Sequence, residues 1–146
     1  MSAAARPQPA WHGVSVIGLS EAGCAAARDV AANCPELALT VYDPDGARCE
    51  SFRGLATLAA NVEEALRESD VIVLALPDGH AVDRTLARYS DGQVNADVAG
   101  KLIVDLCARD PRWTQRLGDA VRSAGAGYAD AAEPAALLAL IAPRGP

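Results

Sequence analysis

By type and spacing, the residues best suited to chemistry are glycines and aspartates. Gly18-Leu19-Ser20-Glu21-Ala22-Gly23 is a G-x-G-x-x-G pattern with serine in place of its middle glycine. It follows the short β-branched run Val14-Ser15-Val16-Ile17 and opens a small-residue segment of helical length, Glu21 to Asn33. In that setting Gly18 permits a tight turn and Gly23 lets helix and strand approach closely. The amides at the helix start, aided by the helix dipole, can receive a pyrophosphate. Ser20 puts a Cβ where the backbone would meet the phosphates, and its hydroxyl either caps the helix or bonds a phosphate. A βα turn without a ligand is the competing reading of the loop. Asp43 follows Gly18 by about 25 residues, at the end of a second expected strand, Leu37 to Tyr42. A carboxylate there accepts from adenosine ribose hydroxyls and repels a 2′-phosphate, so NAD is expected over NADP. Arg48 and Arg53 stand close enough to receive such a phosphate, and Asp43-Pro44-Asp45-Gly46 is also a turn sequence in its own right.

Other candidate groups are sparse. Lys101 is the one lysine. Cys24, Cys34, Cys49 and Cys107 include no C-x-x-C pair, and His12 and His80 add little, so no metal site is expected. The stretch Met1 to Trp11 has no apolar core of a secretory signal, so free thiols in a cytoplasmic protein are expected. His80 is an acid/base candidate or a polar residue at a helix entry. Cys107 is a reactive thiol or a small apolar filler. Trp113 is read as packing. Asp78, Asp105 and Asp110 would resist an anionic substrate unless Arg109 or Arg112 offsets them.

The elements that must position these groups alternate. Val71 to Leu76 and Leu102 to Val104 are continuous apolar runs, as in strands covered on both faces. Asn61 and Asp110-Pro111 are helix starts, the second helix running to about Ser123. A helix is expected over Ala81 to Tyr89, a strand beginning at Tyr128, and either a last strand or an exposed apolar segment over Ala135 to Ala142. This alternation predicts one α/β domain of Rossmann-like, doubly wound type with a mainly parallel sheet, over residues 13–142, between a leader (1–12) and a tail (143–146). Ligands of such sheets bind outside the carboxyl ends of the strands, here the loops at 18–23, 43–46, 76–80 and 105–110. With 146 residues, 51% hydrophobic and 22% charged, the chain is globular in composition. A net charge of −6 argues against nucleic-acid binding, and no apolar run approaches the ~20 residues of a membrane helix.

In order and spacing, Val16-Ile17-Gly18-Leu19, Glu21-Ala22-Gly23, Val41-Tyr42-Asp43, Val71 to Pro77, Gly100 to Asp105 and Pro111 resemble the N-terminal domain of the 6-phosphogluconate and β-hydroxyacid dehydrogenase family. The resemblance covers about residues 13–130. It implies a dinucleotide site in which Leu76, Pro77 and Asp78 lie along the cofactor. Gly18, Leu19, Ser20, Glu21, Ala22, Gly23, Asp43 and Cys107 complete the expected set. In the family a hydroxyl-rich loop after the fifth strand holds substrate, whereas this chain has Cys107 and Ala108 there. The family's glycine-rich substrate segment is replaced by Asp130-Ala131-Ala132-Glu133-Pro134. The family's catalytic lysine belongs to a helical second domain, and Lys101, ahead of its strand, does not match it. No residue of this chain is therefore assigned as catalytic. Three readings follow: the cofactor half of an oxidoreductase that associates with itself or a partner chain, a non-catalytic dinucleotide-binding protein, or a bare scaffold.

Overall fold

A computed structural model of the protein describes residues 11–107 and 109–141. The chain alternates strand and helix throughout: β1 (Gly13–Ile17), α1 (Glu21–Asn33), β2 (Ala38–Tyr42), α2 (Gly46–Glu50), β3 (Thr57–Leu58), α3 (Val62–Glu68), β4 (Val71–Leu74), α4 (Gly79–Thr85), β5 (Leu102–Asp105), α5 (Pro111–Ser123), β6 (Gly127–Asp130) and α6 (Pro134–Ile141). All strand pairings are parallel, in the order β3-β2-β1-β4-β5-β6. The chain winds outward from β1 in one direction, then returns to β1's other side through β4. The topological switch therefore lies between β1 and β4, where doubly wound sheets hold ligands.

Successive strand residues feed opposite faces, as the pleat requires. Val14, Val16, Val71, Val73 and Val104 pack under α1 and α6, with Cys49 and Phe52 beside them. Ile17, Ile72, Leu74 and Ile103 pack under α3, α4 and α5. Coverage on both sides explains why these strands read as unbroken apolar runs. The amino ends of the strands are pinned by polar groups. The Asp70 carboxylate accepts from the amides of His12 and Gly13, and the buried Ser15 hydroxyl donates to the Ala65 carbonyl at 2.6 Å. Lys101 is half-buried there and donates to the Ser69 carbonyl at 2.6 Å.

Two expectations need correction, and one short helix goes unanticipated. The Ala135 to Ala142 segment is neither a strand nor a free apolar tail over its described part. It is helix α6, whose Leu137 and Ile141, one turn apart, are buried in the face that carries α1. Alanine and leucine favour helix, and Pro134 stands at a first helical position. Helix α4 ends at Thr85, short of the expected Tyr89. Ala87 there adopts φ +52°, with the Arg88 amide donating to Asp83 and the Ala87 amide to Arg84. This is a Schellman closure, a place where glycine is usual, and an alanine gives no warning of it. Finally, the turn after Asp43 runs on into α2, capped by Asp45, whose side chain accepts from the Ala47 amide. The leader residues 1–10 and the tail 143–146 lie outside the described residues. Among the described residues no helix is long and apolar enough to cross a membrane.

Candidate functional site

The carboxyl ends of β1, β2 and β4 are joined by backbone hydrogen bonds just past their last residues. The Gly18 amide donates to Tyr42 at 2.8 Å and the Ala75 amide to Ile17 at 2.9 Å. This draws the first βα turn against the segment that follows β4. Gly18 takes φ +99°, and a Cβ on it would lie 2.3 Å from the Ala75 carbonyl oxygen. A Cβ on Gly23 would lie 1.9 Å from the Gly18 carbonyl oxygen. Both glycines are therefore required by close backbone approach. Ser20 has φ −66°, so nothing in its own backbone asks for glycine, and its hydroxyl caps α1 by accepting from the Gly23 amide. Of the two roles open to that hydroxyl, capping is the one observed. Among the described residues, the Glu21 and Ala22 amides at the helix start have no protein acceptor.

Asp43 is buried at the end of β2. One carboxylate oxygen accepts from the Leu19 amide at 2.7 Å and the other from the Asp45 amide at 2.8 Å. The carboxylate thus ties the glycine loop to β2. Arg48 approaches it at 3.7 Å while remaining half exposed. Arg53 is instead occupied by Glu50 on the surface.

A cleft of about 820 Å³ opens over these loops. Gly18, Ser20, Asp43, Leu76, Pro77 and Cys107 line it, as does Arg48. The other expected residues support the cleft from outside its lining. The Leu19 side chain is buried in the core, and Gly23 lies beneath the turn. Glu21 and Ala22 are exposed on the first turn of α1. Asp78 caps α4, accepting from the Ala81 amide at 2.8 Å, and Asp110 caps α5 in the same way. Sequence reasoning missed the cleft's other wall, built by Val62 and Leu66 of α3, Ala81 and Thr85 of α4, and Tyr89 beyond it. The spacing of Val62 and Leu66, one helical turn apart, was the available signal.

At the carboxyl end of β5, Asp105 is buried and paired with Arg109, Nε to Oδ2 at 2.6 Å. Arg109 also donates to the Leu76 carbonyl at 3.0 Å and lies over the Trp113 ring, 5.5 Å from its centroid. Cys107 donates through its amide to Asp105 and through its thiol to Leu76. Asp78, Asp105 and Asp110 are therefore each engaged by the fold. His80 is exposed in the first turn of α4, outside the cleft lining. Lys101, at the amino end of β5, lies across the sheet from the cleft. Burial pushes the Cys34 and Cys49 thiols up in pKa, which keeps them protonated.

Comparison with known proteins fits this geometry. No curated protein sequence matches the chain. Among solved structures, the imine reductase from Myxococcus stipitatus in complex with NADP+ is 27% identical, with a TM-score of 0.70 over 81% of this chain and 39% of that one. A V8 variant of an imine reductase from the same organism, in complex with NAD+, is 26% identical, with a TM-score of 0.69 over 86% of this chain and 38% of its own. The reductive aminase from Aspergillus terreus in complex with NADPH and ethyl-5-oxohexanoate is 27% identical, with a TM-score of 0.67 over 80% of this chain and 39% of its own. The chain thus spans about two fifths of these relatives' length. The family profile for the NAD binding domain of 6-phosphogluconate dehydrogenase matches residues 13–132. With a glycine turn at the switch point, a carboxylate closing β2 and that match over most of its length, the chain belongs to the family of 6-phosphogluconate dehydrogenase NAD-binding domains.

Proposed function

We propose that the cleft holds a nicotinamide dinucleotide and that the chain acts as the cofactor half of an oxidoreductase. The glycine cradle and the acceptor-free amides at the start of α1 fit a pyrophosphate, and the serine at the middle position caps the helix without closing the turn. Asp43 receives the adenosine ribose hydroxyls with the lone pairs that Leu19 and Asp45 leave free. Leu76, Pro77 and Cys107 border the nicotinamide half. The bound dinucleotide supplies hydride transfer. This chain's residues orient it and shield one side of it. Groups that handle substrate protons come, in this reading, from a helical domain or a second chain, because Lys101 is at the wrong end of its strand. The purified chain with NAD and a panel of hydroxyacids is expected to show no turnover, and robust turnover that survives Lys101→Ala would overturn that. Its mass in solution tests self-association, and fractionation of cells tests the cytoplasmic location.

The buried carboxylate of Asp43 carries the preference for NAD over NADP: it is fixed, negative and placed at the ribose end. Arg48 favours the other cofactor. It lines the cleft, its ion pairs are long at 3.7 and 3.8 Å, and two of the neighbours above hold NADP+ or NADPH. Titration of NADH and NADPH decides between them. Tighter NADH binding that falls about tenfold or more in Asp43→Ala supports the first, as a lost charge-assisted hydrogen bond requires. Tighter NADPH binding that collapses in Arg48→Ala supports the second.

A further inference from the structure

Resting on the cofactor reading above, we infer that Arg109 is a positioning residue for the nicotinamide half of the cleft, acting through the Leu76–Pro77 segment. Its side chain does not line the cleft. The residues it holds do. Between the last bond of β4 to β1, at Ala75, and the cap of α4, at Asp78, the chain leaves the sheet for a segment whose Pro77 has no amide to give. Among the described residues, the carbonyl of Leu76 is this stretch's anchor to the β5 side, and it accepts from Arg109 Nη2 at 3.0 Å and from the Cys107 thiol at 3.4 Å.

The guanidinium is itself held rigidly. It meets both oxygens of Asp105, at 2.6 and 3.3 Å, in the planar two-point arrangement that lysine cannot copy. Only 9% of the Arg109 side chain and 1% of Asp105 remain exposed, so water competes little for these bonds. Trp113 closes the far side. A Cβ on Gly79 would lie 2.9 Å from the Trp113 ring, so the same indole that lies against Arg109 also presses the start of α4. Arg109 thereby clamps the loop after β5 to the loop after β4. It also neutralises Asp105, which would otherwise bring a buried negative charge beside a cofactor that already carries phosphates.

The clamp borders one half of the cleft, and that makes its role separable from general stability. Among the described residues, Asp43, Arg48 and the α1 amides, which in this reading serve the adenosine and pyrophosphate end, share no hydrogen bond or ion pair with Arg109. The experiment measures binding of NADH, NADPH and ADP to the wild-type chain, Arg109→Met and Arg109→Lys, with thermal unfolding of each. ADP carries the adenosine and pyrophosphate without the nicotinamide ribose. The expected result is a loss of about tenfold in affinity for whichever reduced dinucleotide binds, with ADP affinity unchanged within about twofold, in both variants. Equal losses for dinucleotide and ADP, or a lysine variant that binds like the wild type, would overturn the inference. Arg109→Lys keeps the charge and guards against the case in which Arg109→Met fails to fold. A wild-type chain that binds ADP but neither dinucleotide, or none of the three, would instead overturn the cofactor reading on which this rests.

Discussion

Asp43 serves both the scaffold and the proposed ligand, so its loss has two consequences. Asp43→Ala leaves the Leu19 amide without its acceptor, and an unsatisfied buried donor costs about 1–3 kcal/mol. A denaturant titration should show that loss without any nucleotide present, and NADH affinity should fall separately. Gly23→Ala tests the glycine turn itself. With a carbonyl oxygen 1.9 Å from the new Cβ, either helix or strand must move, and a destabilisation of about 3 kcal/mol or more is expected. Gly46→Ala is the matched control: nothing lies within 4 Å of its added Cβ, and unfolding should shift by less than about 1 kcal/mol. The tie from Asp43 to the Leu19 amide, 24 residues back, went unread, but the turn roles of Gly18 and Gly23 were legible, each resting on one residue in one local context. The Arg109 clamp was not. Arg109 appeared only as a charge to offset aspartates, since its link to Leu76 joins loops 33 residues apart that meet only after the sheet forms.

Helix starts were legible because their caps are local. Asn61 and Asp110 each accept from an amide two or three residues on, whereas the cap that Asp78 gives α4 was read only as part of the cofactor loop. Asp110→Ala should cost about 1 kcal/mol, read by thermal unfolding, because it frees the amides of Arg112 and Trp113. Helix ends and the nature of apolar runs were less legible. The stop after Thr85 is set by a left-handed alanine, and α6 was indistinguishable from a strand until its Leu137 and Ile141 met the face beside α1. Among the described residues, the Tyr128 hydroxyl, where β6 packs on α5, is a buried side-chain group without a hydrogen-bond partner. Burial, then the charges of Asp105 and Asp130, push its pKa up to about 12. The neutral form is thus favoured in the fold. That stabilisation is fully present below the unfolded tyrosine's pKa of about 10 and is lost as pH rises from there through about 12. Tyr128→Phe should remove this alkaline slope and, by deleting an unsatisfied hydroxyl, leave the protein at pH 7 as stable or up to about 1 kcal/mol more stable.

At the scale of the whole molecule, the alternation of strands and helices announced the parallel sheet, while the strand order had to be seen. That order has a consequence for synthesis. The central strand β1 is finished at Ile17, and β2 covers one of its edges early. Its other edge waits for β4, which begins at Val71. At about 5–20 residues per second, a ribosome leaves that edge open for about 3–11 s. During this interval the nascent chain shows an unpaired, apolar strand with no proline or charge to guard it. Chains halted before Val71 should aggregate or be held by chaperones, whereas chains released after Asp105 should stay soluble. A series of truncated chains, sedimented after cell-free translation, would locate the switch. A gradual change with length would show that β4 does not close the edge in one step.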